Sequence, residues 1–162
     1  MKKLSESFIG DIRSNIDEIQ PVGISVITEW ADRDLEVNGM TVFNYNMVKE
    51  LLPLFKEKGW RLPTLEDTKI FNKPTGEPKI QIDREGFYFR EGNEILHFNR
   101  TGYVTSFNNE TYQPYDYYCW TSNVVIGNPN RHHMIKLTNN NFYVWGGSDK
   151  DLCQIRLVKD IK

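Results

Sequence analysis

The side chains of this chain with the most chemical potential are two thiols, two adjacent imidazoles and one arginine set among apolar neighbours. Cys119 and Cys153 are too few for a disulfide scaffold, and in a reducing compartment they are thiols, which are also common small core residues. His132 and His133 stand in the run RHHMIKL. On a strand, adjacent side chains point to opposite faces, so these two imidazoles do not chelate one ion. Arg61 lies between Trp60 and Leu62 in the run GWRLPTLED. An arginine in that setting reaches inward to a paired carboxylate or to backbone carbonyls, whereas a catalytic role requires a cleft that the sequence does not identify. The expectation is a non-enzymatic protein with no metal and no cofactor.

A binding surface is easier to place. Aromatic residues make up 13% of the chain and crowd after residue 86. They are interleaved with asparagine in three stretches read as long loops, NNETYQPYDYY, NVVIGNPNRHH and TNNNFYVWGGSD. Tyrosine, tryptophan and asparagine together supply rigid amphipathic area and adaptable hydrogen bonding. The candidate contact residues are Tyr112, Tyr115, Asp116, Tyr117, Asn128, Asn130, Arg131 and Trp145.

At 162 residues one domain is the default, and a core of that size needs no staples. Twenty basic residues against 22 acidic ones give a net charge of -2, and no basic run marks a nucleic-acid footprint. No segment is long and apolar enough to span a membrane. Met1-Lys2-Lys3 opens like a signal-peptide start, but Ser5, Glu6 and Ser7 occupy the place of an apolar region, so no cleaved signal is expected.

Leu4, Phe8, Ile12 and Ile16 recur every four residues, with Ser5 placed to cap, and predict an amphipathic helix within residues 1–20. Such a stripe packs on its own domain or docks on a partner; the expectation adopted is a docking helix over 1–20 attached to a domain over 21–162. VGISVITEW predicts a strand, and Asn46 to Lys58 a second helix interrupted by Pro53. Gly59 suits a helix C-terminus, and Thr64 with Asp67 approximates a capping box for a short helix through Phe71. Further strands are predicted around Phe87–Arg90, Ile95–Phe98, Tyr103–Phe107, Tyr117–Ser122, His133–Leu137, Phe142–Trp145 and Cys153–Val158. The fold class is α+β.

The order of GWRLPT (Gly59 to Thr64), YCWTS (Tyr118 to Ser122) and CQIRLV (Cys153 to Val158), preceded by EWADRD at 29–34, resembles the C-type lectin-like fold. The resemblance is to the branch shared by the Fibrobacter-type major paralogous domain and the formylglycine-generating, sulfatase-modifying enzymes, and it covers roughly residues 22 to 160. It implies a structural role for Trp60, Arg61, Leu62, Pro63, Thr64 and Trp120, with two helices packed on short, mostly antiparallel strands and long loops forming a recognition face. Thr68 departs from the family pattern, which places a large apolar residue there, so Ile70 and Phe71 must anchor the short helix. The sulfatase-modifying relatives bind copper through thiols, which makes Cys119 and Cys153 the third reading, an oxidase. Gln113-Pro114-Tyr115-Asp116 is similar to the calcium and sugar motif of true C-type lectins, but the inserted tyrosine breaks its spacing.

The start, KLSES followed by Phe8, Ile9 and Asp11-Ile12, resembles leaders of bacteriophage proteins from gut Bacteroidetes. That resemblance implies a virion structural or decoration protein made in the host cytoplasm. Residues 1–20 would dock on other virion subunits while the loops face a host glycan or surface protein. The alternative expectation is a bacterial carbohydrate- or protein-binding module of the same fold.

Overall fold

The computed structural model describes the chain except for residues 1–4, 25–26, 73–74, 76–78, 106–109, 140 and 162, and the side chain of Tyr112. Helix α1 spans Glu6–Glu18, and Ser5 caps it by accepting the Phe8 N–H at 3.1 Å. Strands β1 (Pro21–Val22) and β2 (Thr28–Ala31) follow, then helix α2 (Tyr45–Glu57) with Asn44 accepting the Met47 N–H. A 3-10 helix covers Leu65–Phe71. The strand-rich part contains β3 (Gln81–Ile82), β4 (Gly86–Glu91), β5 (Glu94–Asn99), β6 (Tyr103–Val104), β7 (Thr111–Tyr112), β8 (Tyr117–Val125), β9 (Asn128–Leu137), β10 (Phe142–Ser148) and β11 (Val158–Asp160). The result is a mixed α+β architecture with helices packed against antiparallel strands.

Among the described residues the strands form four small sheets, ordered β1-β2-β11, β10-β9-β8, β3-β4-β5 and β6-β7. The β10-β9-β8 sheet divides the interior. Because successive side chains alternate across a strand, Tyr118 and Trp120 on β8 join Met134 on β9 in one core. Tyr117 and Cys119 join Ile135 and Leu137 in the other. The first core also holds the buried faces of both helices, and the second holds Trp30, Phe71, Phe87, Phe89 and Phe98. Aromatic packing in the second core is dense: Phe71 lies within 4.6–5.9 Å of Trp30, Phe89, Phe98 and Phe142, ring centre to ring centre.

Several expectations are corrected. Residues 6–18 are not a detached docking element, because Ile12 and Ile16 are buried in the first core with Ile19. Phe8 packs half-buried against the same core, and Leu4 lies outside the described residues. Burying each isoleucine contributes about 1.5–3 kcal/mol, enough to hold a helix that would be marginal alone. The Arg13–Glu57 pair at 2.9 Å and the Lys58–Asp17 pair at 3.0 Å fasten α1 to α2 at the surface, where such pairs contribute little. The strand read in VGISVITEW is two short strands, with Ser25 and Val26 outside the described residues. Of the run Tyr103–Phe107, only Tyr103–Val104 is strand, and residues 106–107 are not described. Most of Cys153–Val158 is not strand; it is an inward-facing segment tied on by isolated bridges such as Phe43 with Cys153 and Cys119 with Gln154.

The burial of α1 yields a direct test. Ile12→Ala and Ile16→Ala should each lower the unfolding free energy by about 2–5 kcal/mol, read by urea denaturation. Deleting residues 1–20 should leave a chain that unfolds at markedly lower urea; unchanged stability after that deletion would contradict the packing.

Candidate functional site

Pro63 and the bulge of β8 set the geometry of the exposed surface. The register of β8 against β9 shifts between Trp120 and Val124. Within this irregularity Ser122 donates to the Pro63 carbonyl, Asn123 accepts the Leu65 N–H at 3.0 Å, and the Thr121 hydroxyl donates to the His133 carbonyl. The GWRLPT run thus clamps β8 where it leaves the core. Beyond the clamp, β8 and β9 continue as a hairpin turning at Gly127, whose φ of +81° suits glycine. Its tip carries Val124 and Ile126, and Ile126 is 97% exposed. Among the described residues strand β10 pairs only with β9, and it adds Tyr143, Val144 and Trp145, all exposed, without a charged residue or proline to protect this edge. The Lys136 ammonium lies 5.7 Å from the centre of the Trp145 ring.

Most of the expected contact residues occupy different settings from the loops read in the sequence. Asn128, Asn130 and Arg131 are exposed but belong to β9, and Trp145 belongs to β10. The Arg131 guanidinium donates to the Gly146 carbonyl across the strand pair. Tyr117 is removed from the surface set: it is fully buried, and its hydroxyl donates to Asp34 at 2.6 Å. Tyr112 is on β7, and Tyr115 projects from the following turn, 75% exposed. Asp116 is half-buried; burial pushes its carboxyl up, with Lys136 and Arg100 opposing.

The potential chemical groups are equally well placed. The Arg61 guanidinium bonds Asp67 at 2.7 Å and Asp160 at 2.8 Å, and Asp67 also accepts the Thr64 N–H. These hydrogen bonds raise the arginine further above its ordinary range and hold Asp160 below the usual carboxylate range. Gly59 has φ of +83°, as a helix terminus there requires. His132 is buried, hydrogen-bonded through Nδ1 to Asp149 at 2.7 Å and stacked on Tyr45 with ring centres 3.5 Å apart. His133 points to the opposite side of β9, where its Nδ1 is buried without a hydrogen bond among the described residues. Cys119 and Cys153 are free thiols, fully buried. Burial pushes Cys119 up to about 12 and Cys153 well above its ordinary value, with further opposition from Asp34. Neither is poised to be a thiolate.

Sequence reasoning missed the most buried charge. Arg156 is 2% exposed, and its Nε donates to Asp34 at 2.8 Å while Nη1 donates to the carbonyls of Ala31 and His97. Burial alone would lower this arginine; Asp34 outweighs it, and the guanidinium stays charged. The available signal was Arg156 between Ile155 and Leu157, the same placement that drew notice to Arg61. Its partner 122 residues away was not legible.

Protein-family models, curated proteins and solved structures contain no match to this chain.

Two outcomes follow from the buried groups. Asp34→Asn should lower the unfolding free energy by about 3–5 kcal/mol, since it leaves Arg156 buried without its counter-charge; calorimetry or denaturant titration reads this. A chromogenic disulfide reagent at pH 8 should leave both thiols unmodified in the native protein and consume two per chain in denaturant, and prompt native reaction would contradict their burial.

Proposed function

We propose that this chain is a non-enzymatic binding and structural module of C-type lectin-like fold, a virion structural or decoration protein of a phage. It engages another protein subunit through the exposed end of its β10-β9-β8 sheet. The observation that carries the reading is the projecting β8–β9 tip, with Ile126 97% exposed beside Val124, and Tyr143, Val144 and Trp145 along the adjoining edge strand. Isolated exposed apolar residues are ordinary, but an apolar hairpin tip on the same sheet as an unprotected apolar strand edge is a feature of surfaces that are covered in use. Docking therefore belongs to this sheet end rather than to α1. The resemblance of the first dozen residues to phage leaders supports the virion setting, and the order of GWRLPT, YCWTS and CQIRLV supports the fold.

One observation favours a second reading, a bacterial carbohydrate- or protein-binding module. Tyr115 stands 75% exposed between Gln113 and Asp116, an aromatic face flanked by polar groups of the kind that sugars stack on. Burial of both thiols weighs against the oxidase reading.

Mass spectrometry of density-purified particles of the phage that encodes the chain should find it at stoichiometric level. Ile126→Asp and Trp145→Ala should abolish that incorporation while changing stability by no more than about 0.5 kcal/mol, as surface substitutions do. Absence from particles would overturn the virion assignment. Incorporation unaffected by either variant would overturn the docking surface.

A further inference from the structure

A cavity of about 340 Å³ lies away from the hairpin tip, between α1, the segment after β2, strand β5 and the C-terminal segment. Its size is that of a site for one small molecule. The buried pair of Arg156 and Asp34 is part of its lining. The Arg156 guanidinium uses Nε and Nη1 on protein acceptors, which leaves Nη2 without a hydrogen bond among the described residues although the side chain is 97% buried. Arg156 is one of the residues that line this space. Asp34 takes both of its bonds, from Arg156 and Tyr117, on Oδ1, leaving Oδ2 to accept. Two lining residues thus retain an unused donor and an unused acceptor among the described residues.

The rim decides the ligand class. Four carboxylates, Glu18, Asp32, Asp34 and Glu36, face two guanidiniums, Arg33 and Arg156. Asp32 is paired with Arg33 at 2.9 Å and Asp34 with Arg156, while Glu18 and Glu36 have no ion pair among the described residues. The surplus is two negative charges, which disfavours an anion. Ile19 is the only apolar residue of the lining among the described residues, and none there is a phenyl, phenol or indole ring, which disfavours apolar and quaternary ammonium ligands.

We infer that this cavity binds a small molecule carrying both a primary ammonium and an oxygen acceptor, the oxygen taken by Arg156 Nη2 and the ammonium by Glu36, Glu18 and Asp34. A free amino acid and an amino sugar both have this chemistry. The inference does not rest on the virion reading.

The test is titration of the full-length protein with glucosamine, with L-alanine and L-serine, and with the N-acetyl forms of all three. Backbone amide chemical shifts of His97, Asn99 and Thr101 are followed by NMR. At least one of the free amines should give saturable shifts at these residues, identifying the source as sugar or amino acid, and its N-acetyl form should bind about tenfold or more weakly. Glu36→Gln, at an exposed position, should weaken the same ligand about tenfold without changing the thermal midpoint. No saturable shift up to about 10 mM, well above a millimolar Kd, overturns the inference. Equal binding of amine and N-acetyl form, or shifts confined to residues away from the cavity, overturns it as well.

Discussion

The buried pair of Arg156 and Asp34 is the constraint on which the interior is arranged. A guanidinium enclosed to this degree is tolerated only when its charge and its donors are met, because transfer of an unpaired ion from water costs several kcal/mol. Asp34 supplies the charge, and two backbone carbonyls, from Ala31 at the end of β2 and His97 in β5, supply further acceptors. The rings of Phe98 and Tyr117 lie 4.3 Å and 5.8 Å from its Cζ, so the same group borders the aromatic core. Four distant parts of the chain must therefore come to one point. The Tyr117 hydroxyl, donating to the same Asp34 oxygen, fixes how β8 lies against them.

The remaining polar ties lock the periphery around this point. Arg61 holds the 3-10 helix through Asp67 and the last strand through Asp160. The Trp120 indole donates to the Phe43 carbonyl, and the Tyr45 hydroxyl donates to the Thr121 carbonyl, so the start of α2 is fastened to β8 by the side chains that fill the first core. The Tyr45 ring then stacks on His132, whose partner Asp149 accepts the Tyr45 N–H through its own carbonyl. These ties hold the core side of β8, and beyond them the bulge releases the hairpin whose tip carries Val124 and Ile126 into solvent.

Much of the local structure was legible because it rests on short-range rules. Ser5 as a cap, Gly59 at positive φ, and the turn of Thr64 with Asp67 are each written within three or four residues. The inward reach of Arg61 was legible for the same reason, since an arginine between tryptophan and leucine needs a partner nearby. What failed depended on tertiary context. NVVIGNPNRHH has the turn residues of a loop, yet Gly127 makes it a hairpin whose strands are held by pairing with the rest of β8 and β9. Tyr117 and Tyr115 sit two apart in one tyrosine-rich run, and nothing local distinguishes the one that meets Asp34 from the one that meets solvent. The stripe on α1 fitted either an internal or an external surface, and only the position of α2 and the first core decides it.

The sheet ordered β1-β2-β11 has a consequence for how the molecule is made. Strand β2 is flanked on one side by residues 21–22 and on the other by residues 158–160, so its second edge stays open until residues 158–160 have been synthesised. Arg156 arrives just before those residues. Until then Asp34 waits without its arginine, and closing a loop of more than a hundred residues is required to bring the two together, a topology that favours slow and cooperative folding. Residues 156–160 therefore act as a latch: without them the fold has neither its buried charge balance nor the third strand of this sheet.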